Sequence, residues 1–482
     1  MFACYTETPQ FFNDICDEIR LFFDEKRIEQ VQKDSAGQEY LLRHFFVCKD
    51  GRCVSRAVLY CGGKQAYSAE KNFVLEQNVP ALQEKKLVKR GVRQNVYDCL
   101  NGYTGKNPPW GSLTGIRPTK LARELSAELG VAQAKRMFRD DFCVTVQKAD
   151  LAFEIAQHQK PYLDTVTGDA LDLYIGIPFC VSRCKYCSFV SRDVRESDKA
   201  AYLVALHKEI EQLAYLAETH DIRSVYVGGG TPTALLPQEL DAVLAAANNA
   251  FGPVAEFTVE AGRPDTITGP LLEVIKKYAN RVSVNIQTAN QRTLDAIGRK
   301  HTVEEFIEKF ALAREYGFGN VNTDIILGLP DETLEDVRRT LDVVARLGPE
   351  GVTVHTLAVK RSSDFAVEQQ AHFVRTADIE GMVDFAHTYL HQKGYKPYYL
   401  YRQKYMNGNL ENTGYARPGF ESVYNIDNME ETASVLAFGA GGISKRVFGG
   451  AGRIERAANV KNVEQYIGRV DEMAERKRAL FR

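Results

Sequence analysis

One stretch, residues 171–189, constrains the chain most, because it joins a predicted buried strand to three closely spaced cysteines. Apolar residues alternate over 171–177, and Pro178 ends the strand. The cysteines follow at C-x3-C-x2-C spacing and are Cys180, Cys184 and Cys187. Three thiolates can hold three irons of a four-iron cluster and leave the fourth iron open to a small ligand. A structural zinc site fits less well, because it needs four ligands and no fourth cysteine or histidine follows within the loop.

From residue 171 onward, predicted strands alternate with helical patterns. The strands fall near residues 171–177, 224–228, 256–260, 282–287, 321–327 and 352–357. Six such β-α units are typical of a parallel sheet that curls into a partial barrel. We therefore predict an α/β fold with a partial (β/α)6 barrel, whose functional residues lie at the carboxyl ends of the strands.

The patterns divide the chain into four segments. They are an N-terminal α+β module at 1–105, a helical linker region at 106–168, the barrel at 169–375 and a mostly helical C-terminal segment at 376–482. In the first segment we predict a helix at 11–23, strands at 40–47 and 54–60, and a helix at 79–103. In the second we predict a loop at 110–122, which could equally be a simple linker, then a helix to residue 129 and another at 136–159.

Charge and cysteine content exclude several classes of protein. With 61 basic and 63 acidic residues, the formal net charge is -2, so no overall field attracts nucleic acid or an acidic membrane surface. We find no apolar run of membrane-spanning length and no export leader, and we predict a cytoplasmic protein without a membrane span. The seven other cysteines lack disulfide spacing and are expected to be reduced. Among them, Cys48 and Cys53 flank a hairpin turn and are interpreted as ordinary strand residues.

Three further motifs accompany the cysteines. They are Y-x-x-I-P-F-C from Tyr174 to Cys180, GGGTPT at 228–233 and NTDIILGLP at 322–330. Together they resemble the radical S-adenosylmethionine (SAM) superfamily and, within it, the oxygen-independent coproporphyrinogen III dehydrogenase family. The loop WGSLTGIRPTKLA at 110–122 resembles a signature of the Z-type branch of that family, which carries an extra N-terminal region. The resemblance covers about residues 105–450.

The resemblance implies two cofactors, one 4Fe-4S cluster on the three cysteines and SAM on the open iron. By position it implies SAM contacts from Gly228, Gly229, Gly230, Thr231, Glu260, Gln287, Arg299, Asp324, Ile326 and Ala358. Of these, Glu260 would accept from the methionyl end, Arg299 would face the SAM carboxylate, and Ile326 and Ala358 would pack near the adenine. Tyr174 of the opening motif and His355 are the candidate catalytic residues.

The chain departs from the family pattern at two positions. Gly176 stands where well-studied members have a histidine, and Phe189 stands where they have a further cysteine. The number of cluster ligands is unaffected. His355, near the end of the sixth strand, could replace the missing histidine, although it could also be an ordinary core histidine.

The family's reaction converts two propionates of coproporphyrinogen III to vinyl groups. A site for this tetracarboxylate needs cations and a wide apolar wall. We expect the cations among Lys360, Arg361, Arg402, Lys404 and Arg417, and the wall among Tyr398, Tyr399, Tyr401 and Tyr415. The segment 396–419, which carries most of these residues, is predicted to cover the open side of the barrel, unless it is merely a solvated loop.

Two other functions within this architecture stay open at this point. One is a haem-binding chaperone, and the other is a radical SAM methyltransferase of haem degradation. The expected partners are a tetrapyrrole substrate and an electron donor such as flavodoxin or ferredoxin, but no nucleic acid. We expect the chain to act as a monomer.

Overall fold

The structure is a computed structural model. It describes residues 2–23, 25, 27–33, 35–75, 80–115, 117–189, 191–194, 198–358, 363, 365, 376–403, 409–449 and 453–482. The chain forms two compact units. One unit comprises Met1–Phe153 with Gly408–Leu410, and the other comprises Glu154–Asn407 with Glu411–Arg482.

The first unit contains a five-stranded sheet. In chain order its strands and first helices are β1 Phe2–Thr6, α1 Phe12–Phe22, β2 Ile28–Gln30, β3 Tyr40–Lys49, β4 Arg52–Cys61, β5 Lys64–Val74 and α2 Ala81–Thr104. The sheet has the order β2-β1-β3-β4-β5, with β1 parallel to both of its neighbours. Apolar residues of α1 and α2, such as Ile15, Ile19 and Val96, share one core with Phe2 and Leu42 of the sheet. The predicted module therefore has a core of its own.

Three helices follow in chain order: α3 Pro118–Leu129, α4 Val131–Asp140 and α5 Val146–Leu163. The prediction of one helix over 136–159 is wrong, because the chain breaks after Asp140 and Cys143 adopts a positive φ of 55°. The signature loop packs at this break, where Ser112 donates from its backbone N to Phe142 O at 2.8 Å. A Cβ on Gly111 would lie 1.9 Å from Phe142 O, so this position requires glycine.

The prediction for the two hairpin cysteines, Cys48 and Cys53, is also wrong. Cys48 and Cys53 lie directly opposite each other in the β3–β4 register, with their Cα atoms 4.0 Å apart. The structure joins them in a disulfide, so they are not the reduced strand residues that we expected. The tight turn at Asp50 and Gly51, both with positive φ, produces this close approach.

The second unit is built on one long sheet. Its strands in chain order are β6 Ala170–Ile177, β7 Phe179–Cys180, β8 Arg192–Asp193, β9 Asp221–Gly229, β10 Glu256–Glu260, β11 Arg281–Ser283, β12 Val321–Leu327, β13 Gly351–Thr356, β14 Lys396–Tyr401, β15 Asn412–Ala416, β16 Ser434–Phe438, β17 Ile443–Phe448 and β18 Arg453–Ala458. The sheet runs β14-β15-β13-β12-β11-β10-β9-β6-β16-β17-β18, and β7 pairs only with β8. From β6 to β13 all neighbours are parallel, which confirms the six β-α units.

Helices connect these strands and continue to the end of the chain. They are α6 Lys199–Leu213, α7 Pro237–Phe251, α8 Gly269–Tyr278, α9 Gln291–Ala296, α10 Val303–Glu315, α11 Leu334–Leu347, α12 Thr376–Gln392, α13 Val423–Glu430, α14 Val463–Gly468 and α15 Val470–Phe481. In the part of the chain that is described, no helix is long and apolar enough to cross a bilayer.

The C-terminal segment contributes strands as well as the predicted helices. Antiparallel β14 and β15 extend the sheet beyond β13, and β16, parallel to β6, extends it at the other side with β17 and β18. The Tyr-rich segment 396–419 is therefore largely a strand pair of the sheet. Its residues 404–408 lie outside the described residues.

Candidate functional site

A cavity of about 250 Å³ opens at the carboxyl ends of the parallel strands, beside the cysteine loop. Most of the predicted site residues line it, namely Cys180, Cys184, Cys187, Gly229, Gly230, Thr231, Glu260, Gln287, Arg299, Asp324, Ile326, His355 and Ala358. They come from the ends of five strands, β9 to β13, from the loop after β6 and, for Arg299, from the loop after α9. The fold thus brings together residues up to 178 positions apart in sequence, from Cys180 to Ala358. Of the residues predicted for the cluster, for SAM and for catalysis, only Tyr174 and Gly228 are not part of this lining.

The cysteine loop is folded tightly around the cavity. Cys187 donates from its backbone N to Cys184 O at 3.0 Å, and Cys180 Sγ lies 3.3 Å from Thr231 Oγ1. Burial raises the pKa of the Cys180 and Cys187 thiols. Among the residues described, no three His, Cys, Asp or Glu side chains are grouped to hold a single metal ion. A cluster needs a different arrangement, since each thiolate binds a different iron, and three thiols that face one space fit it.

The glycine run packs against the strand that delivers the cysteines. Gly230 N donates to Ile177 O at 2.7 Å, and Thr231 N donates to Phe179 O at 2.8 Å. A Cβ on Gly230 would lie 2.6 Å from Phe179 O, and Gly229 has a positive φ of 110°. The glycines thus permit a close approach of backbone to backbone at the rim of the cavity.

Glu260 ends β10 and projects into the cavity. Tyr226 donates its hydroxyl to Glu260 Oε1 at 2.5 Å, and a Cβ on Gly228 would lie 2.8 Å from Glu260 Oε2. Burial raises the pKa of Glu260 to about 7, and the nearby Asp324 carboxylate acts in the same direction. Near neutral pH this carboxyl group can therefore accept or release a proton.

Asp324 on β12 is held by amide donors. Asn285 Nδ2 donates to Oδ2 at 3.0 Å, Asn322 Nδ2 donates to Oδ1 at 2.9 Å, and His355 Nε2 lies 3.6 Å from Oδ2. Burial pushes the pKa of Asp324 up, but the hydrogen bonds from His355 and Asn322 outweigh burial and the net pKa is lowered. Asp324 is thus the ionised carboxylate of the cavity, in contrast to Glu260.

Three buried polar atoms of residues that line the cavity have no partner among the described residues. They are Ser182 Oγ, Gln287 Oε1 and Arg299 Nε. Gln287 has a positive φ of 70° and forms an isolated bridge with Ile325, because regular pairing of β11 ends at Ser283. Arg299 donates to Gly262 O at 2.8 Å and to Tyr186 OH at 3.2 Å. Unpaired atoms this deeply buried indicate a polar ligand.

The apolar wall comes from Ile326, which packs in a cluster with Leu294, Ile297 and Leu357. Ala358 lies beside this cluster in the cavity lining. A wall without polar groups suits the flat face of an adenine.

The two candidate catalytic residues lie in different places. His355 lines the cavity, with Nδ1 3.4 Å from Tyr401 OH, so it is not a core histidine. Tyr174 belongs to a group of three stacked rings, with its centroid 6.3 Å from that of Tyr226 and 6.5 Å from that of Tyr424. The roles of both side chains stay predictions.

Sequence reasoning missed some residues of the cavity. Arg263, Asn285, Gln403 and Asn412 all line it, and so does Tyr401, which was expected as part of the substrate wall. Arg263 could have been found, since it follows Glu260 by three residues in a strand-end loop. Asn412 could not, because it belongs to β15, whose place beside β13 was not predicted.

The structure describes only some of the cations that were predicted to hold the substrate carboxylates. Lys360, Arg361 and Lys404 lie outside the described residues, and Arg402 is buried. Arg417 is wrong as a cavity residue, because it follows Ala416, which pairs with Gly351 at the amino end of β13. Its guanidinium lies 4.9 Å from the centre of the Tyr395 ring, at the opposite edge of the sheet.

Comparisons of sequence and of structure with known proteins identify similar families. The Radical SAM superfamily model matches residues 174–344. The chain is 38% identical over 413 residues to the oxygen-independent coproporphyrinogen-III oxidase-like protein HemZ of Bacillus subtilis, covering 83% of this chain and 82% of that protein. It is 29% identical over 306 residues to the heme chaperone HemW of the same organism, covering 62% and 76%.

Among solved structures, the coproporphyrinogen III oxidase HemN of Escherichia coli matches with a TM-score of 0.52 and 26% identity, over 66% of this chain and 73% of that one. The residues matched by the family model include the cysteine motif, and the HemZ match covers most of the chain. The chain therefore belongs to the radical SAM superfamily and, within it, to the oxygen-independent coproporphyrinogen-III oxidase-like proteins.

Proposed function

We propose that this chain holds a 4Fe-4S cluster on Cys180, Cys184 and Cys187, binds SAM beside it, and oxidatively decarboxylates two propionates of coproporphyrinogen III. One observation carries the proposal: the cysteines share a single cavity with nearly all of the residues that the motifs assign to SAM. The superfamily to which the chain belongs implies both cofactors. When bound and reduced, the cluster supplies the electron that cleaves SAM.

The side chains of the cavity divide the work of holding SAM. The Arg299 guanidinium faces the SAM carboxylate, and the Glu260 carboxylate accepts from its ammonium group. Asp324 accepts hydroxyl hydrogens of the ribose, because its low pKa keeps it ionised. Gln287 Oε1, which is buried and unpaired, supplies a further acceptor. The wall that includes Ile326 packs against the adenine.

The tetrapyrrole substrate is inferred from the relatives. HemZ is 38% identical to this chain, and HemN, named as a coproporphyrinogen III oxidase, is 26% identical. Each decarboxylation removes one hydrogen atom from the β-carbon of a propionate, releases CO₂ and transfers one electron to an acceptor, which leaves a vinyl group. Excluding water from this step protects the reactive carbon.

A haem chaperone is the second candidate. It is favoured by the 29% identity to HemW and by Gly176, which stands in place of the histidine of well-studied dehydrogenases. A chaperone would bind haem tightly and would leave coproporphyrinogen unchanged.

An anaerobic assay with coproporphyrinogen III, SAM, a reductant and a one-electron acceptor tests the proposal. We expect two successive mass losses, each of carbon dioxide and two hydrogens, and none of them in a Cys187→Ala control. Tight haem binding with unchanged coproporphyrinogen would overturn the dehydrogenase in favour of the chaperone. A methylated linear tetrapyrrole formed from haem would instead identify a methyltransferase.

A further inference from the structure

Arg263 is a buried cation next to one of the three cysteines. It lies in the loop after β10, and only 3% of its surface is exposed. Its Nη1 donates to Cys184 Sγ at 3.6 Å and to Ser182 O at 3.0 Å. No role in the function described so far accounts for this guanidinium.

Asp265 holds the guanidinium in a fixed orientation. Nε donates to Asp265 Oδ1 at 3.1 Å, and Nη2 donates to Oδ2 at 3.0 Å. The loop itself is closed by Thr266, whose hydroxyl donates to Arg263 O at 2.8 Å. The bidentate pair of Arg263 and Asp265 occupies one edge of the guanidinium and directs Nη1 toward Cys184.

A donor and a positive charge at a ligand sulfur favour the more negative state of an iron-sulfur cluster. The reduction potential of such a cluster depends on its net charge and on hydrogen bonds to the sulfurs. Reduction adds one electron, so a nearby cation stabilises the reduced state more than the oxidised one. Asp265 opposes this effect, because its negative charge partly compensates the guanidinium.

We propose that Arg263 raises the reduction potential of the cluster held by Cys184, and that Asp265 sets how strongly it does so. This inference rests on the proposed role of the cysteines as cluster ligands. Arg263 is a positioning and tuning residue in this account, since it acts through Cys184 and not on SAM. A purely structural role for Arg263, as a brace for the cysteine loop through Ser182 O, would make no prediction about the sign of a change in potential.

The experiment is a potentiometric titration of the reconstituted full-length chain with dithionite, in which the reduced cluster is quantified by its paramagnetic signal. Arg263→Gln is expected to lower the ratio of reduced to oxidised cluster at a fixed potential about tenfold, which is about 59 mV for one electron. Asp265→Asn is expected to change the ratio in the opposite direction. Iron and sulfide contents are measured in every variant.

The matched control is the buried pair of Arg223 and Asp427, in which Nε lies 2.7 Å from Oδ2. Arg223 lies near the start of β9, at the amino edge of the sheet, so Arg223→Gln and Asp427→Asn change the same charges without touching the cysteine loop. We expect neither to shift the potential.

Equal potentials in wild type and both loop variants, or shifts of the same sign in both, would overturn the inference while leaving the cluster assignment intact. If Arg263→Gln assembles no cluster, the potentials of Arg263→Lys and Asp265→Asn test the inference instead, because both variants retain a positive charge at residue 263. Failure of the wild type itself to assemble a cluster would overturn the proposed function and the inference with it.

Discussion

At the scale of single residues, the pKa values of the two carboxyl groups of the cavity are shifted in opposite directions. Glu260 has a pKa raised to about 7 by burial, whereas hydrogen bonds hold the pKa of Asp324 below its usual value despite burial. The two groups point into one cavity, so their difference follows from their donors. Glu260 receives a hydroxyl from Tyr226, whereas the pKa of Asp324 is lowered chiefly by His355 and then by the amide of Asn322.

We therefore predict that SAM binding depends on pH through Glu260. Below pH 7 the carboxyl group is protonated and loses its charge-assisted hydrogen bond to the ammonium group of SAM. The affinity should fall up to about tenfold between pH 8 and pH 6, because about one tenth of a group with a pKa near 7 is ionised at pH 6. Calorimetric titration of the reconstituted protein checks this. The Glu260→Gln variant should bind weakly with little pH dependence, and a pH-independent wild type would contradict the role of Glu260.

The raised pKa of Glu260 also has a consequence for stability. In the unfolded chain its pKa is near 4.5, so the folded state holds the proton more tightly. The resulting contribution to stability is fully present below pH 4.5 and is lost as the pH rises through about 7. Glu260→Gln should thus raise the Tm of the protein without cofactors at pH 8 more than at pH 5. A larger gain at pH 5 would contradict the raised pKa.

A third prediction at this scale concerns Asp324 and Arg299. Asp324→Asn and Arg299→Ala should each weaken SAM binding while the iron content stays intact, because neither residue is a cluster ligand. A lost hydrogen bond to a charged group costs roughly 1.5 to 3 kcal/mol, or about ten- to a hundredfold in affinity. Asp241→Asn, on the surface helix α7, serves as the control. Normal affinity in both cavity variants would dismiss their assigned contacts.

At the scale of elements, the last helix of the chain is fastened by one buried carboxylate. Glu209 of α6 accepts from Lys477 Nζ of α15 at 2.5 Å, from Tyr466 OH of α14 at 2.7 Å and from Gly439 N at 2.9 Å. Gly439 has a positive φ of 91°, and a Cβ there would lie 2.6 Å from Gly176 O at the end of β6. The C-terminal elements therefore support the strand that leads to the cysteines.

We predict that Lys477→Met destabilises the protein by about 3–5 kcal/mol, because it leaves the buried Glu209 without a countercharge. The double variant Glu209→Gln with Lys477→Met should recover much of that loss. Denaturant unfolding of the three proteins gives the comparison. A double variant no more stable than the single one would show that the pair contributes by packing rather than by charge.

Elements with a clear apolar alternation were predictable from sequence, and others were not. The strands β6, β10 and β12 lie within one residue of their predicted bounds, because their buried residues impose the pattern. β5 was missed, since it is mostly exposed and polar. Arg417 was assigned to the wrong edge because β15 runs antiparallel to β13, and the direction of a returning strand cannot be read from its own residues. At the site, the motifs identified Glu260 and Asp324. They did not identify the side chains that donate hydrogen bonds to these carboxyl groups, such as Tyr226 and Asn285, because those come from other strands or strand ends.

At the scale of the whole molecule, each of the two units contains apolar clusters of its own. The first unit contains a cluster around Phe2, Ile15 and Val96, and the second contains apolar clusters around Ile326 and Tyr398. The single tryptophan of the chain, Trp110, is 1% exposed and lies in the first unit. Its fluorescence therefore reports on one unit alone.

We predict that denaturant unfolding followed by Trp110 fluorescence does not coincide with unfolding followed by far-ultraviolet circular dichroism, which reports on both units. Non-coincident transitions are the mark of a departure from two-state behaviour. Trp110→Phe is the control for the fluorescence signal. Superimposable transitions would show that the two cores unfold as one.

The central claim is that three cysteines at the end of β6 hold the cluster that cleaves SAM. The most direct measurement compares iron, sulfide and reductive SAM cleavage in anaerobically reconstituted wild type and Cys184→Ala, with Cys143→Ala as a cysteine control outside the motif. We expect four irons and four sulfides per chain in wild type and in the control, since three thiolates and SAM complete one cube. We expect Cys184→Ala to lose the brown absorbance and SAM cleavage together. A Cys184→Ala protein that retains its full cluster and cleaves SAM would contradict the account.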